Sequence, residues 1–227
     1  NTMSTSFGRS APLILVLAFI LGMYGFSQAS RKADPKFSRD LKTTYPRQAY
    51  QAMFYQKSDK GEGRVILSSD GKGHVRLKEV ASVMRFSQPF KNSVGSERTE
   101  NLFLSVDRIT LLDYLQGKKY IVFQHDKTIQ ESPLTNLGVG IFDEEMYKSS
   151  DAKRLEDTVI DGTPVRGWLT TFPLTDAEQV EAWFSKQTGC LVFARGAGVT
   201  TNLLKYQKGS LPARDFLPPE GYKKTKI

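Results

Sequence analysis

The sequence predicts a single mainly β domain, an incomplete antiparallel β-barrel or highly curved sheet with one or two covering helices, behind one N-terminal transmembrane helix. Three observations predict it. Short runs of alternating apolar and polar residues succeed one another from Ala49 to Tyr206, the period of a half-buried strand. Polar turns such as Ser69-Asp70-Gly71-Lys72-Gly73 separate them, and Asp-Gly between apolar runs is a strong hairpin signal. Helix-compatible stretches are few, so the strands lack the crossovers that a parallel sheet requires.

The chain divides into an anchor segment (1–30), a linker (31–48) and a β domain (49–227). Between Arg9 and Arg31 run 21 uncharged residues, Ser10 to Ser30, centred on Leu13-Ile14-Leu15-Val16-Leu17-Ala18-Phe19-Ile20-Leu21. As a helix they span roughly 30 Å, the hydrocarbon thickness of a bilayer. Pro12 suits the first turn, and Tyr24 and Phe26 suit the far interface. Ser27-Gln28-Ala29 would serve as a peptidase site, with cleavage after Ala29; a retained anchor is the expectation, because the apolar run exceeds a signal core. Basic residues after the segment (Arg31, Lys32, Lys36, Arg39, Lys42, Arg47) outnumber Arg9 before it, which by the positive-inside rule favours a cytoplasmic domain. The signal-like start points the other way, and the expected location is the periplasmic, extracytoplasmic side of an inner membrane. Residues 31–48, polar with Pro35 and Pro46, read as a spacer.

Strands are then expected in order at Tyr50–Gln56, Arg64–Leu67, His74–Lys78, Val80–Phe86, Asn101–Val106, Arg108–Tyr114 and Lys119–His125. A helix is compatible with Ile141–Leu155, opening on Asp143-Glu144-Glu145, acids that favour a helix start. Strands resume at Thr158–Ile160, Val165–Phe172, Gln179–Phe184, Cys190–Ala194 and Asn202–Tyr206. Thr175-Asp176-Ala177-Glu178 has the pattern of a capping turn.

Composition excludes several functions. The net charge of +8 is distributed, with basic flanks at both ends, Lys223, Lys224 and Lys226 closing the chain; nucleic acid is not expected as a partner without a dense basic stripe. Flanks of this kind suit anionic headgroups or an acidic partner. One cysteine, Cys190, sits in an apolar run and permits no intramolecular disulfide. His74 and His125 have no companions at metal-ligand spacing, and Gly71-Lys72 follows no phosphate-loop glycine. No Gly-x-Ser-x-Gly elbow occurs. No catalytic residue, metal or cofactor is therefore expected. Aromatic residues are plentiful, with 14 Phe and 9 Tyr, enough to fill a core or to line a groove on a curved sheet.

The C-terminal third carries a resemblance. Asp161-Gly162-Thr163-Pro164-Val165-Arg166-Gly167-Trp168 precedes Val180-Glu181-Ala182-Trp183-Phe184 and Thr188-Gly189-Cys190-Leu191-Val192. Gly209-Ser210-Leu211-Pro212, Phe216 and Pro218-Pro219-Glu220-Gly221-Tyr222 follow. This order resembles the outer-membrane lipoprotein carrier (LolA/LolB-like) superfamily, over residues 49–223. The resemblance implies an unclosed β-barrel plugged by helices and a cavity for acyl chains. Unlike such carriers, this chain has a protein anchor and no lipid-attachment cysteine.

Two functions follow as expectations. The first is a non-enzymatic accessory subunit of a larger inner-membrane complex, of respiratory or photosynthetic type, with integral membrane subunits as partners. The second is a membrane-tethered binder of lipid, acyl chains or lipoprotein. Trp168, Trp183, Phe216 and Tyr222 are the candidate residues for an apolar groove or for packing of the tail.

Overall fold

The computed structural model describes residues 40–59, 61–88, 98–104, 108–135, 137–171, 179–196 and 198–227. The expected anchor, Ser10–Ser30, most of the linker and the Thr175–Glu178 turn lie outside them. Among the described residues no helix is long and apolar enough to cross a membrane.

The strands are β1 (Ala49–Ser58), β2 (Gly61–Asp70), β3 (His74–Gln88), β4 (Arg98–Leu104), β5 (Arg108–Asp113), β6 (Lys118–Phe123) and β7 (Thr128–Pro133). After a 3-10 turn at Gly140–Phe142 and a short helix α1 (Glu144–Lys148) come β8 (Lys153–Arg154), β9 (Thr158–Ile160), β10 (Thr163–Thr171), β11 (Gln179–Ser185), β12 (Leu191–Gly196) and β13 (Val199–Lys208). A second 3-10 turn, Ala213–Phe216, leads to β14 (Lys223–Lys226). All join one sheet in the order β14-β7-β6-β5-β3-β2-β1-β13-β12-β11-β10-β8, with β4 also on β3 and β9 also on β10.

Turn chemistry fixes the hairpins. Between β2 and β3 the Asp70 carboxylate accepts the backbone N–H groups of Lys72 (2.7 Å) and His74 (3.0 Å). Gly71 adopts a φ of 69°, where a Cβ would meet the backbone N of Ala49 at 2.9 Å; only glycine fits there. Burial alternates along β1, with Tyr50, Ala52 and Phe54 facing in. The register sets Ala52 opposite Leu67, Leu67 opposite Leu77 and Val75 opposite Leu112, so one inner face is apolar across four strands.

That face must curl. β5 and β11 stand six strand steps apart in the sheet, roughly 29 Å at the usual strand spacing. Leu112 of β5 and Ala182 and Phe184 of β11 nonetheless share one core cluster with Phe142, Met146 and Tyr147. The sheet therefore wraps around the 3-10 turn and α1. This is the open, curved, mainly β sheet that the sequence predicts.

Several elements differ from expectation. The helix expected over Ile141–Leu155 is reduced to the 3-10 turn and the five residues of α1, because the Ser149 and Ser150 hydroxyls bond back to the carbonyls of Glu145 and Tyr147 and so compete with continuation of the helix. Lys153 and Arg154 instead pair with β10. His74–Lys78 and Val80–Phe86, read as two strands, form one, β3, and a register shift between Arg64 and Val65 of β2 absorbs the irregularity. His125, expected in a strand, lies exposed in the turn between β6 and β7. The pairing of β14 with β7 is parallel, whereas every other pairing among the described strands is antiparallel. Leu41 and Tyr45, in the stretch read as linker, pack against the core.

Candidate functional site

The inner face is where a ligand of a curved sheet would sit, and the residues occupying it come from the segment 134–148. Leu134, Val139, Ile141, Phe142, Met146 and Tyr147 are all buried there. The Phe142 ring lies 4.7 Å from that of Phe54, and the Tyr147 ring meets Phe184 edge-on at 5.5 Å. Side chains of this size each stabilise by about 2–3 kcal/mol on burial. The concavity is thus filled by the chain itself.

Two polar clamps hold this plug against opposite limbs of the sheet. On the β5 side, the Tyr114 hydroxyl donates to Asp143 Oδ2 (3.0 Å) and accepts the Val139 N–H (3.0 Å). Asp143 also caps α1, accepting the Glu145 N–H through Oδ1 at 3.2 Å. On the β10 side, Arg166 donates from Nε and Nη2 to the two oxygens of Glu144, both at 2.8 Å. Trp168 Nε1 donates to the same carboxylate at 3.3 Å. Glu144 is 6% exposed, so this two-pronged pairing compensates for the removal of its charge from water. The bond from Glu144 holds the Arg166 guanidinium above its ordinary pKa.

A cavity of about 400 Å³ opens at the mouth between the plug, residues 43–48 and the turn at 186–189. Tyr50 and Phe142 are among its apolar lining residues; Arg47, Lys148, Arg166 and Lys186 bring positive charge. Each cation is already engaged. Arg47 stacks on Tyr45 at 3.9 Å, Lys148 bridges to Glu145 at 2.7 Å and Lys186 bridges to Asp157 at 2.5 Å. Burial holds the Tyr50 phenol well above its usual pKa, so it is a neutral hydroxyl.

The four candidate residues occupy three places. Trp168 is half-buried against the inner core and borders the Glu144 clamp. Trp183 lies on the opposite face, where its ring covers Gly167; a Cβ on that glycine would meet the ring at 2.5 Å. Its Nε1 donates to Glu181 at 2.5 Å. Phe216 is buried in the tail, and Tyr222 packs against an outer-face cluster of Ile109, Leu111, Tyr120, Val122 and Ile129. The two tryptophans therefore share no groove, while the two tail residues lie where the C-terminal segment crosses the sheet. Sequence reasoning missed Glu144 and Arg166. The spacing of Glu144 to Lys148 is a local helix signal, but a pairing across 22 residues leaves none.

Cys190 is 1% exposed and burial pushes its thiol up to about 12, so at neutral pH it is a protonated apolar group, not a nucleophile. His74 Nδ1 lies 2.7 Å from Asp70 Oδ2 and its Nε2 lies 3.9 Å from Asp113. Among the described residues no three potential ligands converge as a metal site would require.

What the fold and site define is a curved-sheet β domain with a self-filled inner face. No family model matches the chain, and no curated protein matches it in sequence. Among solved structures, an uncharacterized conserved protein from Thermus thermophilus shares the fold with a TM-score of 0.51 at 8% identity, over 80% of this chain and 91% of that one. Two further solved structures match more weakly. A LolA superfamily protein from Nitrosomonas europaea matches over 78% of this chain and 94% of its own, at 11% identity and a TM-score of 0.21. MucB in the Pseudomonas aeruginosa MucA/MucB complex matches at 15% identity and a TM-score of 0.40, over 75% of this chain and 55% of that one.

Proposed function

We propose that the chain is a non-enzymatic accessory subunit of a larger inner-membrane complex. Ser10–Ser30 anchors it, and the β domain lies on the extracytoplasmic side over integral membrane subunits. The observation that carries this reading is the filled inner face. An acyl carrier needs an apolar cavity of several hundred Å³, and here Phe142, Met146 and Tyr147 occupy that space with exposures of 2% or less. A domain whose concavity is closed by its own side chains acts through its surfaces. The apolar length of Ser10–Ser30 supports a fixed location, which suits a subunit better than a shuttle.

The second reading, a tethered lipid or lipoprotein binder, draws on the mouth cavity, where Tyr50 and Phe142 offer an apolar lining continuous with the core. Mild detergent extraction followed by native electrophoresis and mass spectrometry separates the two. The accessory-subunit reading expects co-migration with integral membrane proteins in a stable large complex. A monomer carrying lipid would overturn it in favour of the second.

A further inference from the structure

The C-terminal edge of the sheet concentrates exposed positive charge in one short strand. Some surface cations elsewhere pair with carboxylates, as Arg166 does with Glu144, Arg154 and Lys186 with Asp157, and Arg195 with Glu181. On β14 every residue is exposed, three of the four are lysines, and none of those lysines has a carboxylate within salt-bridge distance among the described residues. Lys127 joins them, because the Lys223 N–H bonds to its carbonyl at 2.9 Å. Lys118 lies at the far end, bound to Glu131, the register partner of Lys226. The same tail exposes two large apolar side chains, Leu217 at 56% and, directly after Lys226, Ile227 at 72%.

Phe216, buried, and Tyr222, half-buried on the outer cluster, fix this tail in place. The lysines are therefore displayed on an ordered strand. They offer no forked geometry, only point charges on flexible stems, with exposed Ile227 directly after Lys226. Such an arrangement lacks the shape that a stereospecific protein partner reads. It suits a fluid surface of negative headgroups, into whose boundary Ile227 can enter.

We propose that the β14 edge, through Lys127, Lys223, Lys224 and Lys226, lies on an anionic lipid surface. The proposal deepens the membrane-tethered reading and rests on it only for the nearness of a bilayer. Full-length chain would be reconstituted into phosphatidylcholine vesicles, with or without about one-third phosphatidylglycerol, and acetylated with a membrane-permeant reagent. Mass spectrometry then gives the rate at each lysine, with exposed Lys57 and Lys205 as internal references. Acetylation of Lys223, Lys224 and Lys226 is expected to be about tenfold slower in the anionic vesicles. The difference should vanish in about 1 M salt, where screening reaches only ~3 Å. In the variant K223Q/K224Q/K226Q, Lys127 should react equally in both vesicle types.

Equal rates in the two vesicle types overturn the proposal and leave the lysines as guards against strand pairing between copies. Slowing of Lys57 and Lys205 to the same degree overturns it too, because another face would then be against the lipid. Flotation with pure phosphatidylcholine vesicles reports the anchor separately. A chain that fails to float there but floats with anionic vesicles breaks the tether and keeps the edge.

Discussion

The inner face of β1–β3 and β11–β12 and the outer face of β5–β7 solve the same problem in different ways. The first buries its apolar residues under the middle of the chain, 134–148, which is clamped from two sides by Asp143 and Glu144. The second buries Ile109, Leu111, Tyr120, Val122 and Ile129 on the opposite side of the sheet, against Tyr222 of the tail. A sheet with few helices must cover both faces somewhere, and irregular segments supply the cover. The difference lies in coupling. The plug touches strands from both limbs, so its loss is felt globally; the tail lies over the β3–β7 limb alone, so its loss stays on that limb.

The largest effects should therefore come from the inner face. Phe54→Ala or Phe184→Ala removes a ring that is fully buried against the plug, and each should cost about 3–5 kcal/mol in denaturant unfolding. A cost below about 1 kcal/mol would mean that the plug is not packed as described. Arg166→Ala comes next. It leaves the Glu144 carboxylate with Lys148 at 3.5 Å and the Trp168 N–H at 3.3 Å, and should cost about 2–3 kcal/mol, less than for a wholly buried pair because Arg166 is partly exposed.

Tyr222→Ala tests the local side of the comparison. It should cost about 1–2 kcal/mol and speed amide exchange in β14 and β7 while leaving β1 and β11 protected. Loss of protection in β1 as well would show that tail and plug form one cooperative unit. The smallest effect is expected at Tyr147, whose hydroxyl is buried with no hydrogen-bond partner among the described residues. Tyr147→Phe removes an unsatisfied polar atom and keeps the ring, so stability should stay level or rise by about 1 kcal/mol.

Much of this architecture is legible in the residues. The alternation of Tyr50, Ala52 and Phe54, the Asp70-Gly71 turn and the Trp183-to-Cys190 hairpin all follow from short-range pattern and turn chemistry. Two features are not. Alternation says that a strand has two faces, not which one is covered, so nothing local reveals that β5–β7 bury the outer one. The plug is equally hidden: Asp143-Glu144-Glu145 reads as a helix start, yet only Asp143 caps, and Glu144 turns to an arginine 22 residues away. β14 escapes notice because Lys223-Lys224-Thr225-Lys226 has no apolar face and is a strand only by pairing with β7.

The central claim is that the inner face is filled by the chain and takes no acyl ligand. Its most direct test is a titration of the folded protein with a long-chain fatty acid, followed by tryptophan fluorescence. Trp168 borders the plug and the Glu144 clamp, so an acyl chain entering the concavity would disturb its ring, while Trp183 on the opposite face would serve as a background. The account predicts no saturable change up to about 100 μM ligand. A saturable change with a dissociation constant near about 1 μM would contradict it and make the chain a lipid binder.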